Sequence, residues 1–245
     1  MGRAGGLYPD QYTESGLRAA TEASLQRLGV ETLDLTQLHC VPTAVLRQGE
    51  VFEWLRKLQA EGKIRHFGAS VESVEEGLIC LEQPGLTSLQ IILNVFRQKP
   101  LAELLPEAAR KAVAIIVRLP LASGLLSGKM NRSTTFAAND HRNYNRDGAA
   151  FNVGETFAGL PYEVGVELAD DLKGLVPSEI PLAGLALRWI LDQPAVTTII
   201  PGASRPEQVL ANAAASQMAP LTPELHAKLE VFYRQQVESH LRGPN

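Results

Sequence analysis

One alternation constrains this chain more than any other feature. Short apolar runs take turns with segments whose apolar residues recur every three or four positions. Residues 17–28 set Leu17, Ala20, Thr21, Ser24, Leu25 and Leu28 at helical spacing, and Gly29 stands where a left-handed cap ends a helix. ETLDLTQLHC (31–40) reads as a strand, and Val51, Trp54, Leu55 and Leu58 mark a helix that stops near Gly62. KIRHFGAS (63–70) is a second strand, followed by a helix carrying Val74, Leu78 and Leu81 and closed by Pro84-Gly85. SLQIILNVF (88–96) and AVAIIVRLP (112–120) are continuous apolar runs of the kind covered on both faces, with a helix over 101–111 between them despite Pro106. Two more helices follow, the second with Leu182, Leu185, Ala186, Trp189 and Ile190 on one face. The fifth strand, AVTTIIPG (195–202), leads to helices over 205–215 and 223–238.

Strands flanked in this way by helices predict parallel βαβ units with right-handed crossovers, in a single domain over residues 1–245. A doubly wound sheet and a (β/α) barrel both satisfy the string. The doubly wound sheet usually announces its nucleotide site with an early G-x-G-x-x-G, which this sequence lacks. In a barrel the chemistry gathers at the carboxyl ends of the strands, here His39, Ser70, Asn94, Arg118 and Gly202. The stretch from 120 to 160, rich in Gly, Asn, Ser, Thr and Arg, is too long for an ordinary connection and reads as a functional loop or flap.

Composition narrows the partners. A net charge of −4 provides no broad positive field for nucleic acid or anionic lipid. Cys40 and Cys80 form neither a CxxC pair nor a disulfide framework, which fits a reducing compartment. No apolar run approaches the roughly 18 residues of a membrane span, and MGRAGGLYPDQY lacks the apolar core of a signal peptide. The expectation is a cytoplasmic protein that binds neither nucleic acid nor membrane, and whose oligomeric state the sequence does not disclose.

Each strand end admits two readings. His39 shares pleat parity with Leu35 and Gln37, so its neutral imidazole either orients or protonates a substrate oxygen at a barrel mouth or is satisfied in the rim. A metal reading finds no third ligand, since His66 is mid-strand and His141 lies in the flap. The turn in IIPGASRPEQVLAN (199–212) either offers helix amides and the Arg205 fork to a phosphate or is a Ser-capped helix with a solvated arginine. RLPLASGLLSGK (118–129) either wraps a pyrophosphate or is a tight turn containing a proline. Phe136, Phe151, Phe157 and Tyr162 line a pocket or simply pack.

Taken in order, TLDLTQLHC, KIRHFGAS, LQIILN, PLASGLLSGK and IPGASRPEQVLAN resemble the successive strand-end motifs of the aldo-keto reductase family. Members are (β/α)8 barrels that transfer a hydride between NADPH and a carbonyl or alcohol without metal. The resemblance implies an α/β fold, a (β/α)8 TIM barrel that is incomplete here, with strands 4–8 and their helices. It implies an NADP(H)-dependent oxidoreductase that reduces a small aldehyde or ketone, with NADPH/NADP as cofactor. His39 matches the histidine that helps orient the carbonyl, and Ser70 and Gln90 match the partners of the nicotinamide carboxamide. Leu119, Pro120, Leu121, Ala122, Ser123 and Lys129 run along the pyrophosphate, while Gly202, Ser204, Arg205, Gln208 and Asn212 match the adenosine and 2′-phosphate end.

Three positions depart from the family's commonest pattern. Val71 stands where an asparagine usually follows the serine, and Ala211 replaces an acidic residue that holds the adenine amine. Arg118 replaces the aromatic that stacks on the nicotinamide, a role a guanidinium plane can fill. The family's three earlier strands supply an aspartate, a proton-donating tyrosine and a lysine, to which nothing in residues 1–30 aligns. Tyr8 and Tyr12 fall after the third strand, and MGRAGG resembles the continuation of that strand's end. The sequence therefore reads as amino-terminally truncated and inactive by itself. The alternatives are a non-catalytic remnant that binds a nucleotide or a partner, and an unrelated barrel enzyme using His39 on a phosphorylated substrate.

Overall fold

Thr13 starts the first helix, α1 (Glu14–Leu28), by accepting the Gly16 amide on its hydroxyl, and Gly29 ends it at φ 66°, a region that favours glycine. The computed structural model describes residues 12–245, so Tyr8 and the MGRAGG segment lie outside the described residues. After α1 come β1 (Leu33–His39), α2 (Thr43–Gln48), α3 (Glu50–Ala60), β2 (Ile64–Ser70), α4 (Val74–Leu81), β3 (Leu86–Ile92), α5 (Leu104–Arg110) and β4 (Ala114–Arg118). The flap contains the short α6 (His141–Tyr144). The chain then forms α7 (Tyr162–Leu175), α8 (Leu182–Leu191), β5 (Val196–Ile199), α9 (Pro206–Ala214) and α10 (Pro223–Phe232).

The five strands lie in one sheet in chain order, with β1 and β5 as its edges among the described residues. β1 and β2 run parallel from Leu33↔Ile64 to His39↔Ser70, and β2 and β3 run parallel through Gly68↔Ser88 and Ser70↔Gln90. Unbroken chain order is that of a (β/α) barrel, since a doubly wound sheet reverses its order.

Two compact units make up the chain. The first runs to Ile91 and adds Glu103–Ile115; the second is Ile92–Ala102 with Ile116–Asn245. In the first, Thr36 and Leu38 of β1, Phe67 and Ala69 of β2 and Leu89 of β3 are buried, as is the α3 stripe Val51, Phe52, Leu55 and Leu58. A β-carbon on Gly77 would lie 2.6 Å from Leu104 Cδ1, so the Leu104 side chain of α5 packs directly over that glycine of α4. In the second, Leu185, Trp189 and Ile190 of α8 are buried with Leu172 of α7 and Leu229 and Phe232 of α10.

Several boundaries differ from the sequence reading for local reasons. The helix expected around residues 51–58 is preceded by α2, and the two meet at Gly49 with φ 78°. β3 ends at Ile92 because Asn94 turns the chain: it exchanges backbone hydrogen bonds with Arg97 at 3.3 and 2.8 Å, and its Oδ1 accepts from the Phe96 amide at 3.0 Å. α5 begins at Leu104, which places Pro106 in the first turn, where a missing N–H leaves no bond broken. After Phe232 the chain widens into a π-helical turn over Tyr233–Val237.

The flap has its own core. Asn145 is fully buried; its Oδ1 accepts from the amides of Ala150 and Phe151 at 2.8 and 2.9 Å, and its Nδ2 donates to Thr156 Oγ1 at 3.0 Å. The Phe157 ring lies 5.0 Å from Tyr162 and 5.8 Å from Phe136, while Arg142 and Arg146 sit over the Phe136 and Tyr162 rings at 4.5 and 4.7 Å. Tyr144 meets Phe151 edge to face at 6.3 Å. These aromatics pack on one another. Among the described residues, no helix is long and apolar enough to cross a membrane.

Candidate active site

In the first unit, strand parity gathers one polar face. Gln37 is opposite Gly68 in the register, and His39, half-buried, is opposite Ser70. Gln37 Nε2 donates to Ser88 Oγ at 3.2 Å, Gln90 Nε2 donates to Gln37 Oε1 at 3.0 Å, and Ser70 Oγ donates to Gln90 Oε1 at 3.3 Å. Gly68 makes this possible: a β-carbon there would sit 2.2 Å from Ser88 Oγ. The ladder continues past the strands, with Cys40 N donating to the Ser70 carbonyl at 2.9 Å and Val71 N to that of Gln90 at 3.0 Å.

Glu76 braces the two loops that follow His39 and Ser70. Ser73 caps α4 by accepting the Glu76 amide at 3.2 Å, and the buried Glu76 carboxylate accepts from Glu72 N at 2.9 Å and Thr43 Oγ1 at 2.8 Å. The arrangement is a capping box displaced by one residue and extended to α2.

In the second unit, the ends of β4 and β5 lie side by side, since Ile200 N donates to the Val117 carbonyl at 2.9 Å. After Arg118 the backbone is forced: Leu119, Ala122 and Ser123 stand at φ 53°, 48° and 56°, and Gly124 at 102°. Left-handed non-glycine residues cost about 1–3 kcal/mol each and persist where surroundings over-determine them, often at ligand clamps. The clamps here are visible. Asn94 Nδ2 donates to the Leu119 carbonyl at 2.9 Å, Gly124 N to the Leu121 carbonyl at 2.8 Å, and Phe157 N to Ser123 Oγ at 3.1 Å. Arg118, buried, pairs with Glu155 of the flap at 3.5 Å. Pro120 and Ala122 are buried, Leu121 is half-buried, and Lys129 is exposed.

The turn at the start of α9 departs from expectation. The sequence left open helix amides offered to an anion or a Ser-capped helix; here Gln208 Oε1 accepts from Ser204 N at 2.8 Å and Arg205 N at 3.1 Å. The cause is local: Pro206 has no N–H to offer, and a glutamine at the third helical position reaches back, as in half of a capping box. Arg205 is exposed, Asn212 Nδ2 donates to the Gly202 carbonyl at 3.4 Å, and a β-carbon on Gly202 would meet nothing within 4 Å. The space before this turn is open.

The structure thus gathers His39, Ser70 and Gln90 in one unit, and the 118–129 loop and the 202–212 turn in the other. Gln37, Ser88, Glu76 and Glu155 were not singled out from the sequence. Parity with His39 pointed to Gln37; the partners of the other three depend on register and on tertiary folding.

The family model for the aldo/keto reductase family matches residues 5–234. The NADH-specific methylglyoxal reductase of Escherichia coli (strain K12) is 31% identical over 215 residues, 85% of this chain and 61% of that protein. The structure of a glycerol dehydrogenase from Gluconobacter oxydans is 30% identical with a TM-score of 0.71, covering 91% of this chain and 65% of that one. An aldo/keto reductase from Klebsiella pneumoniae, solved in complex with NADP and acetate, is 26% identical with a TM-score of 0.61, over 93% of this chain and 68% of that one. The chain spans between 54% and 61% of the length of the first two curated relatives it matches. With a family match from one end of the strand-and-helix pattern to the other, and (β/α)8 relatives superposing on nine-tenths of it, this chain belongs to the aldo/keto reductase family.

Proposed function

We infer that these residues hold NADP(H) for the reduction of an aldehyde or ketone to an alcohol. The observation that carries the reading is the strained loop Leu119–Gly124, fixed from Asn94 and from the flap, directly after a strand end. The site's chemistry fits the cofactor. Ser70, Gln90 and Gln37 offer amide and hydroxyl donors and acceptors suited to a carboxamide. Arg118 supplies a guanidinium plane for the nicotinamide. Leu119, Pro120, Leu121, Ala122, Ser123 and Lys129 line the pyrophosphate. Gly202, Ser204, Arg205 and Asn212 take the adenosine end, with Gln208 fixing the turn. Arg205 is exposed with five donors toward a 2′-phosphate.

When bound, NADPH supplies the hydride. Hydride transfer to a carbonyl builds negative charge on oxygen, which a positioned acid must neutralise. His39 is the residue of this chain assigned to orient that oxygen and donate a hydrogen bond to it. The chain's residues contain no match to the family's tyrosine and lysine, so residues 1–245 alone bind the cofactor and turn over slowly.

Two measurements test this. Arg205→Ala should erode a preference for NADPH over NADH by about tenfold, the worth of one charge-assisted contact. An unchanged preference refutes the 2′-phosphate assignment, and the NADH-specific E. coli relative makes that outcome a real contest. NADPH oxidation with 4-nitrobenzaldehyde by residues 1–245 should run about 10²–10⁴-fold below the Klebsiella pneumoniae reductase assayed beside it. Equal rates would overturn the assignment of the missing acid.

A further inference from the structure

The carboxyl-terminal tail is laid along the flap, and both belong to the second unit. Arg242 makes the main attachment. Its backbone N donates to the Gly159 carbonyl at 3.3 Å and its Nε to the same oxygen at 2.9 Å, while Nη2 donates to the carbonyls of Arg146 and Leu160 at 3.2 and 3.3 Å and Nη1 to Asp147 Oδ1 at 2.8 Å. One guanidinium thus gathers both ends of the stretch from 146 to 160. Two glycines fit the tail to the flap: a β-carbon on Gly159 would lie 2.5 Å from the Arg242 carbonyl oxygen, and one on Gly243 would lie 2.8 Å from Asn152 Oδ1. Buried Arg97 adds a second tie, donating to the Ala158 carbonyl at 3.3 Å and to the Pro244 carbonyl. The same stretch of flap holds the strained loop after β4. Ser123 Oγ accepts from the Phe157 amide at 3.1 Å and donates to the Glu155 carbonyl at 3.4 Å. The order of contact is tail, flap, loop.

We propose that the tail is a strap, and that its fastening by the Arg242 fork sets how long bound cofactor stays. This rests on the reading that Leu119–Gly124 carries the pyrophosphate. Arg242 is then a positioning residue, acting through Gly159 and Leu160 on the segment that fixes Ser123. Ser123, Phe157 and Ala158 stand at positive φ, a conformation that non-glycine residues hold only where their surroundings over-determine it. Without Arg242 the segment relaxes and Ser123 loses its two partners. Loss of a clamp shows mainly in the dissociation rate of what it holds. The planar fork rather than the charge does the fastening, since three of its four acceptors are carbonyls and the one carboxylate, Asp147, is 74% exposed.

The test is stopped-flow displacement of bound NADPH from the whole chain by excess NADP⁺, read as nicotinamide fluorescence, beside hydrogen exchange over residues 146–160. Arg242→Ala should speed exchange there and raise the dissociation rate about tenfold, with the association rate changed less than about threefold. Arg242→Lys keeps the charge, loses the fork and should match Arg242→Ala. Gly243→Val, which wedges the tail away from Asn152 and Val153 with Arg242 intact, should also raise the dissociation rate. Millimolar methylguanidinium should slow release again from Arg242→Ala, a rescue that general destabilisation would not give. Faster exchange with a native dissociation rate overturns the proposal, since the tail then holds the flap without holding cofactor. Native release from Arg242→Lys, or no rescue by methylguanidinium, overturns it too. A native chain that binds no NADPH shows instead that the reading of the site has failed, and this proposal falls with it whatever the exchange shows.

Discussion

Replacing Gly68 by alanine puts a methyl group where β2 and β3 meet at the polar face. The new β-carbon would lie 2.2 Å from Ser88 Oγ and 2.4 Å from the Ser88 carbonyl oxygen. The hydroxyl can rotate away at the cost of the bond it accepts from Gln37 Nε2. The carbonyl cannot, because it belongs to the β3 backbone. Overpacking of this kind costs about 1–3 kcal/mol, and the lost neutral hydrogen bond adds about 1 kcal/mol. At about 2–4 °C per kcal/mol for a chain of this size, the melting temperature should fall by roughly 4–16 °C. Ser88→Ala in the Gly68→Ala background relieves the clash with the hydroxyl but neither the clash with the carbonyl nor the loss of Gln37's acceptor, so most of the destabilisation should remain. Gly202→Ala is the control: its β-carbon meets nothing within 4 Å, and stability should stay within about 0.5 kcal/mol. Urea and thermal unfolding followed by circular dichroism read all three. A Gly68→Ala protein as stable as the native one would refute the account of how this face is packed.

Other outcomes follow from the flap and the core. Asn145→Ala strands the amides of Ala150 and Phe151 and should raise hydrogen exchange and proteolysis across residues 145–156, a local loss of about 2–4 kcal/mol; unchanged protection contradicts it. Burial pushes the Cys80 thiol up to about 12, with the Glu76 carboxylate adding to the shift, so a thiol reagent near neutral pH should reach Cys80 only on unfolding, and early modification contradicts its placement. The Arg142 guanidinium lowers the Asp140 carboxyl from 3.8 to about 2. The folded value lies below the unfolded one, so the pair's contribution is complete above about pH 4 and fades as pH falls toward about 2. Solvent screening keeps it under about 1 kcal/mol, and Asp140→Asn should destabilise at neutral pH and not near pH 2; equal losses at both would contradict the pairing.

Much of the fold was legible because period and punctuation agree. Leu17 to Leu28 repeat every three or four residues and end at Gly29, and all five apolar runs became strands. Boundaries failed where a side chain acts on the backbone. Asn94 turns the chain inside an apolar run that looks continuous through Phe96, and Thr43–Gln48 is a helix too short to show a period. The layout was legible where a residue closes a strand, as His39, Ser70 and Arg118 each do. It was not legible where a partner comes from far along the chain: nothing in GET near residue 155 announces an ion pair with Arg118. Gln208 shows the reverse limit, since its spacing from Arg205 signals a capping side chain in sequence, yet the turn reads there only as an anion cradle or a Ser cap.

Whether the loops after the strands hold NADP(H), as proposed, is decided by an equilibrium titration with NADPH. Fluorescence of the reduced nicotinamide, followed as native chain is added, should saturate at one cofactor per chain. NADP⁺ should displace it, and Ser123→Tyr, which crowds the strained loop, should abolish saturation without unfolding the protein. A folded native chain that leaves NADPH fluorescence unchanged, or that binds it no differently once the loop is blocked, would contradict the account.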